Sequence, residues 1–274
     1  KKVIDRYRPE LIIFGKSMVL RREPVAEIRR FVTEQNIPTT IMYDMAHVLG
    51  LVGSHFQKPF EEGAEIVLTN TAVSIRMGTI SQLAEKCNTI VVPADATSVE
   101  DLENLIDKTM KHFGGKFDFM LHSIGMSPNV RKGRTYDDLD YDFLSKTLDI
   151  SAISFHKAIQ VARKKDAIND WGSIVALSYI AAQRTLYGYN DMADAKALLE
   201  SIARSFGYIY GREKHVRINT VSQSPTPTTA GSGVLGLGDL MSFADNMSPL
   251  GNASAEDCAD YVLTLFSDLT RKVT

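Results

Sequence analysis

The amino-acid sequence predicts an α/β fold built on a doubly wound, parallel sheet. Short apolar runs of strand-forming residues alternate with stretches of helical periodicity along most of the 274 residues, a pattern typical of strand–helix–strand units. Hydrophobic residues make up 44% of the chain and charged residues 23%, as in ordinary globular proteins. This length and composition suffice for a sheet covered by helices on both faces, as one large domain or two small ones.

The predicted elements follow one another in regular order. Strands are predicted at residues 11–14, 39–43, 65–69, 89–93, 117–122, 173–178 and 216–221. Helices are predicted at residues 24–35, 76–87, 98–112, 138–166 and 190–212. Residues 223–238 contain too many Pro, Gly, Ser and Thr residues for a regular element, so we expect a mobile loop there. Because ligands bind beyond the carboxyl ends of strands in open α/β sheets, this loop is a candidate lid over a pocket.

Charge and cysteine content argue against several classes of protein. Lys and Arg number 31 and Asp and Glu 33, so the net charge of −2 gives no support for nucleic-acid binding. Cys87 and Cys258 lack a CxxC motif and a neighbouring pair of histidines, so neither a disulfide framework nor a metal site is predicted. No run predicts a membrane span or a signal peptide, and we expect a cytoplasmic protein. The chain starts without Met and stops as a β-like run begins, so we also expect a fragment with a truncated carboxyl terminus.

A tyrosine and a lysine around the start of the last predicted helix are candidates for catalysis. Tyr189 and Lys196 are seven residues apart. This is nearly two helical turns, which places both side chains on one face about 10 Å apart along the axis. A lysine there can bind ribose hydroxyls, and a tyrosine can stabilise an enolate through its hydroxyl. Tyr179 follows the preceding strand and is expected to face the same pocket. The alternative is structural, with Tyr189 half-buried against a helix and Lys196 solvated.

The segment from Ser178 to Lys196 resembles the active site of the enoyl-acyl carrier protein reductases, which belong to the short-chain dehydrogenase superfamily with its Rossmann-type sheet. These reductases carry a Tyr-x6-Lys pair, whereas the ketoreductases of the superfamily carry Tyr-x3-Lys. The third residue after Tyr189 is Met192, and the spacing favours the enoyl reductases. The resemblance runs from about Glu62 to Thr274, is similar to the NADH-dependent bacterial type, and includes segments 93–97, 119–125 and 217–226.

This resemblance implies roles for individual residues. Tyr189 would stabilise the enolate formed when NADH reduces an enoyl chain on acyl carrier protein in fatty acid biosynthesis, with Tyr179 assisting and Lys196 holding the nicotinamide ribose. Ser127 would lie near the substrate. The remaining cofactor contacts that the resemblance implies are Asp95 and Ala96 at the adenine, Ser123, Ile124 and Gly125 along the middle of NADH, and Thr226, Thr228 and Ala230 in the closing loop. The resemblance also implies a homotetramer packed partly through the helix that bears Lys196.

The first 63 residues do not fit this family. Residues 8–63 resemble a fragment of a PLP-dependent enzyme of the serine hydroxymethyltransferase type, in which the aspartate of Asp-Met-Ala-His, here Asp44, would pair with the pyridine nitrogen of PLP. No lysine for a Schiff base occurs between Lys58 and Lys86. We therefore predict a chimeric chain, with a PLP-enzyme-like fragment at 1–63 and, at 64–274, a reductase domain that lacks its first strand and glycine-rich loop.

This boundary leaves three functions open. In one hypothesis, strand 39–43 fills the missing first position of the reductase sheet, while Asp44 stands where a glycine turn belongs and repels the pyrophosphate of NADH. The chain is then either an active NADH-dependent reductase or a catalytically inactive remnant that no longer binds NADH. A PLP-dependent transferase or lyase is the third reading, and the absent lysine argues against it.

Overall fold

The computed structural model describes residues 1–14, 24–43, 65–226 and 237–274. The chain divides into two compact units, which are Lys1–Pro93 with Ser267–Thr270, and Ala94–Phe266 with Arg271–Thr274. The predicted change of family near residue 63 falls within the span of the first unit and does not coincide with this division. The predicted domain boundary at residue 63 itself stays a prediction.

Two pairs of parallel strands form in the first unit. Its elements are α1 (Lys2–Tyr7), β1 (Leu11–Phe14), α2 (Val25–Glu34), β2 (Thr40–Tyr43), β3 (Leu68–Asn70), α3 (Ala72–Met77), α4 (Ile80–Lys86) and β4 (Val91–Pro93). Strand β1 pairs with β2, and β3 pairs with β4. Helix α2 buries Val25, Ile28 and Val32 at helical spacing against Ile37 and Ile41, so a small apolar core lies beneath β2.

Strand β2 matters for the hypothesis that residues 39–43 complete the reductase sheet. The strand forms as predicted, but the pairing recorded for it is with β1, with Ile41 beside Ile12. Among the described residues, β3 pairs with β4 and no pairing of β2 with β3 occurs. The structure therefore does not support the predicted strand–helix–strand unit. Asp44 and the apolar stretch 47–56 lie outside the described residues.

A three-stranded parallel sheet forms the centre of the second unit. Its elements are α5 (Val99–Phe113), β5 (Phe117–His122), α6 (Pro128–Arg131), α7 (Tyr141–Leu148), α8 (Ser154–Lys164), β6 (Ile168–Ser178), α9 (Asp191–Lys214), β7 (Arg217–Ser222), α10 (Leu237–Met247) and α11 (Ala255–Phe266). The strand order is β5–β6–β7, with Val175 of β6 beside Leu121 and Asn219. The two active-site candidates Tyr179 and Lys196 belong to the segments after β6 and within α9.

Strand β6 is buried on both faces. Ile174 and Ala176 pack with α5, α8 and α9, whereas Val175 and Leu177 pack with α11. Alternate residues of a strand point to opposite faces, so this division of neighbours places helices on both sides of the sheet. The predicted α/β fold with a doubly wound parallel sheet is confirmed.

Two helical predictions and one loop prediction differ in detail from the structure. The single helix predicted at 138–166 is α7 and α8 joined by a π-helical turn at Asp149–Ile153. The helix predicted at 76–87 is divided into α3 and α4 around Gly78. The predicted loop 223–238 ends two residues early because α10 starts at Leu237, and its residues 227–236 lie outside the described part. None of the helices that the structure describes is long and apolar enough to cross a membrane.

Candidate active site

The candidate site lies where β5 and β6 end and α9 begins. Lys196 lies in the second turn of α9, and its Nζ donates a 2.7 Å hydrogen bond to the carbonyl oxygen of Leu177, near the carboxyl end of β6. The segment after β5 reaches the same place, since a Cβ added to Gly125 would lie 3.7 Å from that Nζ. The carboxyl end of β6 and the segment after β5 thus both lie next to Lys196, at the edge of the sheet where the sequence predicts a ligand site.

Two tyrosines meet where the segment after β6 passes the turn before α9. The rings of Tyr179 and Tyr189 lie 4.8 Å apart between centroids and are tilted by 52°. Both side chains are half-buried, and burial raises the pKa of each phenol above its ordinary value, most strongly for Tyr189. At neutral pH both hydroxyls therefore keep their protons and can donate hydrogen bonds to a charge that develops on a substrate oxygen.

The ammonium group of Lys196 is held away from water. Its side chain is only 6% exposed, and burial lowers the pKa of Lys196 from 10.5 to about 8. An ammonium group has three donors, and Leu177 takes one, so two remain for a ligand. Among the described residues, no carboxylate forms an ion pair with it. The solvated lysine of the structural alternative is therefore wrong.

The backbone around Gly125 leaves space beside this ammonium group. An added Cβ would lie 3.4 Å from Cε of Met192 and 3.7 Å from Nζ of Lys196, so a side chain would fill the gap between loop and helix. Ser123 is exposed, and Ile124 and Gly125 are half-buried. A buried cation with two spare donors next to open backbone suits the ribose hydroxyls of a dinucleotide.

Comparisons with known proteins decide the family. The family model described as enoyl-(acyl carrier protein) reductase matches residues 57–274. The chain belongs to this reductase family. A solved structure titled as the FabI-NADH complex from Alistipes finegoldii is 96% identical, covers 78% of this chain and 76% of its own, and has a TM-score of 0.77. The enoyl-[acyl-carrier-protein] reductase [NADH] FabI of Rickettsia bellii is 34% identical, with 78% of this chain and 80% of that protein covered.

A third relative belongs to the same group. Enoyl-[acyl-carrier-protein] reductase [NADH] 2 of Rhizobium meliloti is 30% identical over 78% of both chains. The resemblance to this family predicted from the Tyr189 and Lys196 spacing is thus confirmed. The resemblance of residues 8–63 to PLP-dependent enzymes, and with it the chimera, is not borne out.

Ser127 of this reductase occupies a different environment from the one predicted. Its side chain is only 4% exposed, and its hydroxyl donates to Asp191 at 2.6 Å and accepts from the backbone N–H of Val130 at 3.0 Å. The second bond caps the start of α6. The hydroxyl proton is therefore committed to a protein carboxylate, and the predicted contact with substrate stays a prediction that this placement does not favour.

The other predicted cofactor residues lie in loops. Asp95 is exposed, and its Oδ1 accepts hydrogen bonds from the backbone N–H and hydroxyl of Thr97, while Ala96 packs against the main core. Thr226 is half-buried and bonds to Ser224 and Gln223 within its own loop. Thr228 and Ala230 lie outside the described residues. The structure shows no contact of Asp95, Ala96 or Thr226 with Lys196, and the roles of all five residues stay predictions.

Several buried polar residues near the site were not predicted. His122 is 5% exposed, and its Nε2 lies 2.9 Å from Oγ of Ser154. Burial, and then the charge of Lys196, lower the pKa of His122 to about 3, so the ring is neutral. Ser151, in the π-helical turn, bonds to both backbone groups of Met126. These residues lie within a strand and a helix, and the sequence alone does not show that their polar side chains are buried.

Proposed function

We propose that this chain catalyses the NADH-dependent reduction of the trans-2 double bond of an enoyl thioester carried on acyl carrier protein, a step of fatty acid biosynthesis. Two contacts carry the proposal, both where β6 ends and α9 begins: the ring contact between Tyr179 and Tyr189, and the bond of the buried Lys196 to Leu177. Membership of the reductase family and the names of the relatives support the same substrate and cofactor.

Tyr189 is assigned to the charge that forms on the thioester oxygen. When hydride adds to the β-carbon, the double bond shifts and the electron pair moves to that oxygen, giving an enolate whose α-carbon then takes up a proton. The raised pKa of Tyr189 keeps its hydroxyl protonated, so the phenol donates a hydrogen bond and does not bring a second negative charge. Tyr179, with its ring against that of Tyr189, assists and limits the positions that the phenol can take.

Lys196 is assigned to binding and orientation. NADH, when bound, supplies the hydride. The two free donors of Lys196 would hold its ribose hydroxyls, and the open backbone at Gly125 would accept the nicotinamide side. In the same proposal Asp95 and Ala96 contact the adenine, and Ser123 and Ile124 contact the middle of the dinucleotide. The closing loop contributes the contacts of Thr226, Thr228 and Ala230. The fixed bond to Leu177 keeps the ammonium group in place before the cofactor arrives.

The deciding experiment is NADH oxidation that depends on a crotonyl thioester. Tyr189→Phe removes only the donor to the enolate, so we expect turnover to fall by about 100-fold or more with little change in NADH affinity. Tyr187→Phe is the matched control, because Tyr187 lies in the same segment and is 93% exposed. We expect it to retain full turnover. Lys196→Ala should weaken NADH binding, whereas alanine at the exposed Lys108 should not.

Two results would count against the proposal. Thioester-dependent oxidation that survives in Tyr189→Phe would remove Tyr189 from the mechanism. If the unmodified chain shows no oxidation at high enzyme concentration, a fluorescence titration with NADH separates the remaining possibilities. No NADH binding would favour the inactive remnant, while normal binding without turnover would point to a different substrate.

The proposal extends to assembly and location. We assign a homotetramer packed partly through α9, whose exposed face carries Ser201, Ser205 and Tyr208 at helical spacing. Small residues beside a large aromatic suit close packing between helices. We assign the chain to the cytoplasm, in keeping with the free Cys87 and Cys258.

A further inference from the structure

Asp191 carries a carboxylate that the proposed reaction does not use. Its side chain is fully buried, at 0% exposure, at the first residue of α9. Oδ1 accepts a hydrogen bond from Ser127 at 2.6 Å, and Oδ2 accepts from Asn129 at 2.9 Å and from Thr147 at 2.8 Å. Within the described residues, no cation pairs with it. Three neutral groups therefore hold a buried acidic group, and Thr147 shares its one hydroxyl proton with the carbonyl of Phe143 at 2.9 Å.

The donors come from segments that are themselves fixed. Asn129 binds both backbone groups of Asp140, donating from Nδ2 to the carbonyl and accepting at Oδ1 from the N–H, each at 3.1 Å. This pair sets the orientation of the amide, so Nδ2 must face Asp191 and requires an acceptor there. Ser127 is tied to Val130, and Thr147 belongs to α7. Asp191 thus joins α9 to the loop after β5 and to α7.

Burial of a carboxylate is costly unless hydrogen bonds and local dipoles offset it. The three donors do so in part, and the position at the start of a long helix adds the favourable field of its N-terminal N–H groups. A side chain held on both oxygens at a helix start has little freedom to move. The arrangement therefore fixes where α9 begins.

Tyr189 lies two residues before this anchor, in a tight turn. Gly188 and Asn190 on either side of it have positive φ angles of 80° and 46°. The carbonyl of Tyr189 accepts from the N–H of Met192 at 3.1 Å, and the side chain of Asn190 donates to the carbonyl of Arg134. The backbone of Tyr189 is therefore set by the same contacts that set the first turn of α9.

We propose that Asp191 is a positioning residue for Tyr189. Its buried carboxylate locks the first turn of α9 onto Ser127, Asn129 and Thr147, and so holds the phenol where the enolate oxygen forms. The proposal rests on the assigned role of Tyr189, because Asp191 acts only through that side chain.

The test substitutes Asp191→Asn in the full chain. The new amide has nearly the same shape but only one acceptor oxygen, so either Ser127 or the pair Asn129 and Thr147 faces an NH2 group, and the first turn of α9 should shift. We expect kcat for the crotonyl thioester to fall about 10- to 100-fold, because small displacements of catalytic groups cost that much. NADH affinity should stay within about twofold, because Lys196 keeps its bond to Leu177. The amides of Met192 and Ala193 should exchange hydrogen about tenfold faster.

Asp194→Asn is the matched control. Asp194 lies in the same turn but accepts its bonds from the exposed hydroxyl of Tyr136, so its substitution should change neither kcat nor exchange. Should Asp191→Asn not fold, Thr147→Val removes one donor with little change of shape, and we expect a smaller loss of about 3- to 10-fold in kcat.

A double-mutant cycle separates positioning from general structural support. In the Tyr189→Phe background, Asp191→Asn should cost less than about twofold more, because the group it positions is already missing. An equal loss in both backgrounds, or an unchanged kcat in Asp191→Asn beside an inactive Tyr189→Phe, would overturn this inference and leave the proposed function standing. A chain without thioester turnover would overturn both.

Discussion

At the scale of single residues, the site depends on charges held out of water. Among the residues that the structure describes, Lys196 is buried without a carboxylate partner and donates its hydrogen bond to Leu177. A group in that position destabilises the folded chain in its charged form, because burial removes hydration that one carbonyl does not replace. The same desolvation keeps Nζ available for the ribose hydroxyls that the proposed function assigns to it. The buried ammonium group thus serves ligand binding while it lowers the stability of the folded chain.

This gives a prediction for Lys196→Met. The folded pKa is about 8 and the ordinary value is 10.5, so between these pH values the unfolded chain binds more protons and stability rises with pH. The penalty is full below pH 8 and is gone above about pH 10.5. Removing the buried charge should stabilise the fold by about 3 kcal/mol, and losing the hydrogen bond to Leu177 should destabilise it by about 1 kcal/mol. The variant should therefore be more stable by about 2 kcal/mol at pH 7.

Urea unfolding of both proteins from pH 7 to pH 10 measures this difference. The advantage of Lys196→Met should shrink steadily above pH 8, whereas Lys108→Met, at an exposed position, should show no such trend. A variant that is no more stable than the parent at pH 7, or whose advantage is the same at every pH, would contradict the assigned burial of Lys196.

The sequence predicted the candidate functional residues Tyr189 and Lys196, because their spacing is distinctive. The seven-residue interval identified Tyr189 and Lys196, but the shared helix face that it predicted is wrong, because Tyr189 lies in the turn before α9 and Asn190 after it has a φ of 46°. The sequence did not predict Asp191 or His122, because both are polar residues in patterns where polar side chains normally face solvent. Their burial depends on partners such as Ser127 and Ser154, which lie 64 and 32 positions away along the chain.

At the scale of elements, apolar runs in the sequence predicted where the strands lie but not where their pairing is irregular. β5 begins and ends at the predicted residues, but β6 starts at Ile168, five residues before the predicted start. The added part contains Trp171 with a φ of 65°, and the register beside β5 passes from Phe117–Ile168 to Phe119–Ser173. This is a bulge-like irregularity, and it arises from pairing geometry that hydrophobic alternation does not encode.

The bulge predicts that Gly172 cannot carry a side chain. A Cβ there would lie 2.8 Å from the carbonyl oxygen of Asp118 and 3.0 Å from that of Asn169, and both are backbone atoms that cannot turn away. Gly172→Ala should therefore destabilise the fold by about 1 to 3 kcal/mol. Gly115→Ala is the control, because an added Cβ at Gly115 has no neighbour within 4 Å. Thermal unfolding of the two variants tests this, and equal stabilities would show that the bulge is not tightly packed.

At the scale of the whole molecule, the question is what α9 contacts on its outer side. The inner face of this helix buries Leu199 and Phe206 in the main core, and its first turns hold Asp191 and Lys196. The outer face carries Tyr208, which is 70% exposed, next to Ile209. A helix that positions the catalytic groups and also packs against its counterpart in another subunit would be stiffened by assembly, and turnover would then depend on the oligomer.

Tyr208→Glu tests this dependence. A charge in the centre of a helix–helix interface lacks a partner and should split the assigned tetramer into smaller species, which light scattering after size-exclusion chromatography measures directly. We expect thioester turnover to fall about tenfold in the smaller species, because α9 loses its support. Val99→Glu adds the same charge at an exposed position on α5 and should leave mass and turnover unchanged. If Tyr208→Glu keeps the parent mass, the outer face of α9 is not a subunit interface. If the mass falls but turnover does not, the site is complete within one chain, and contacts inside that chain, such as those of Asp191 and Leu177, suffice to hold its geometry.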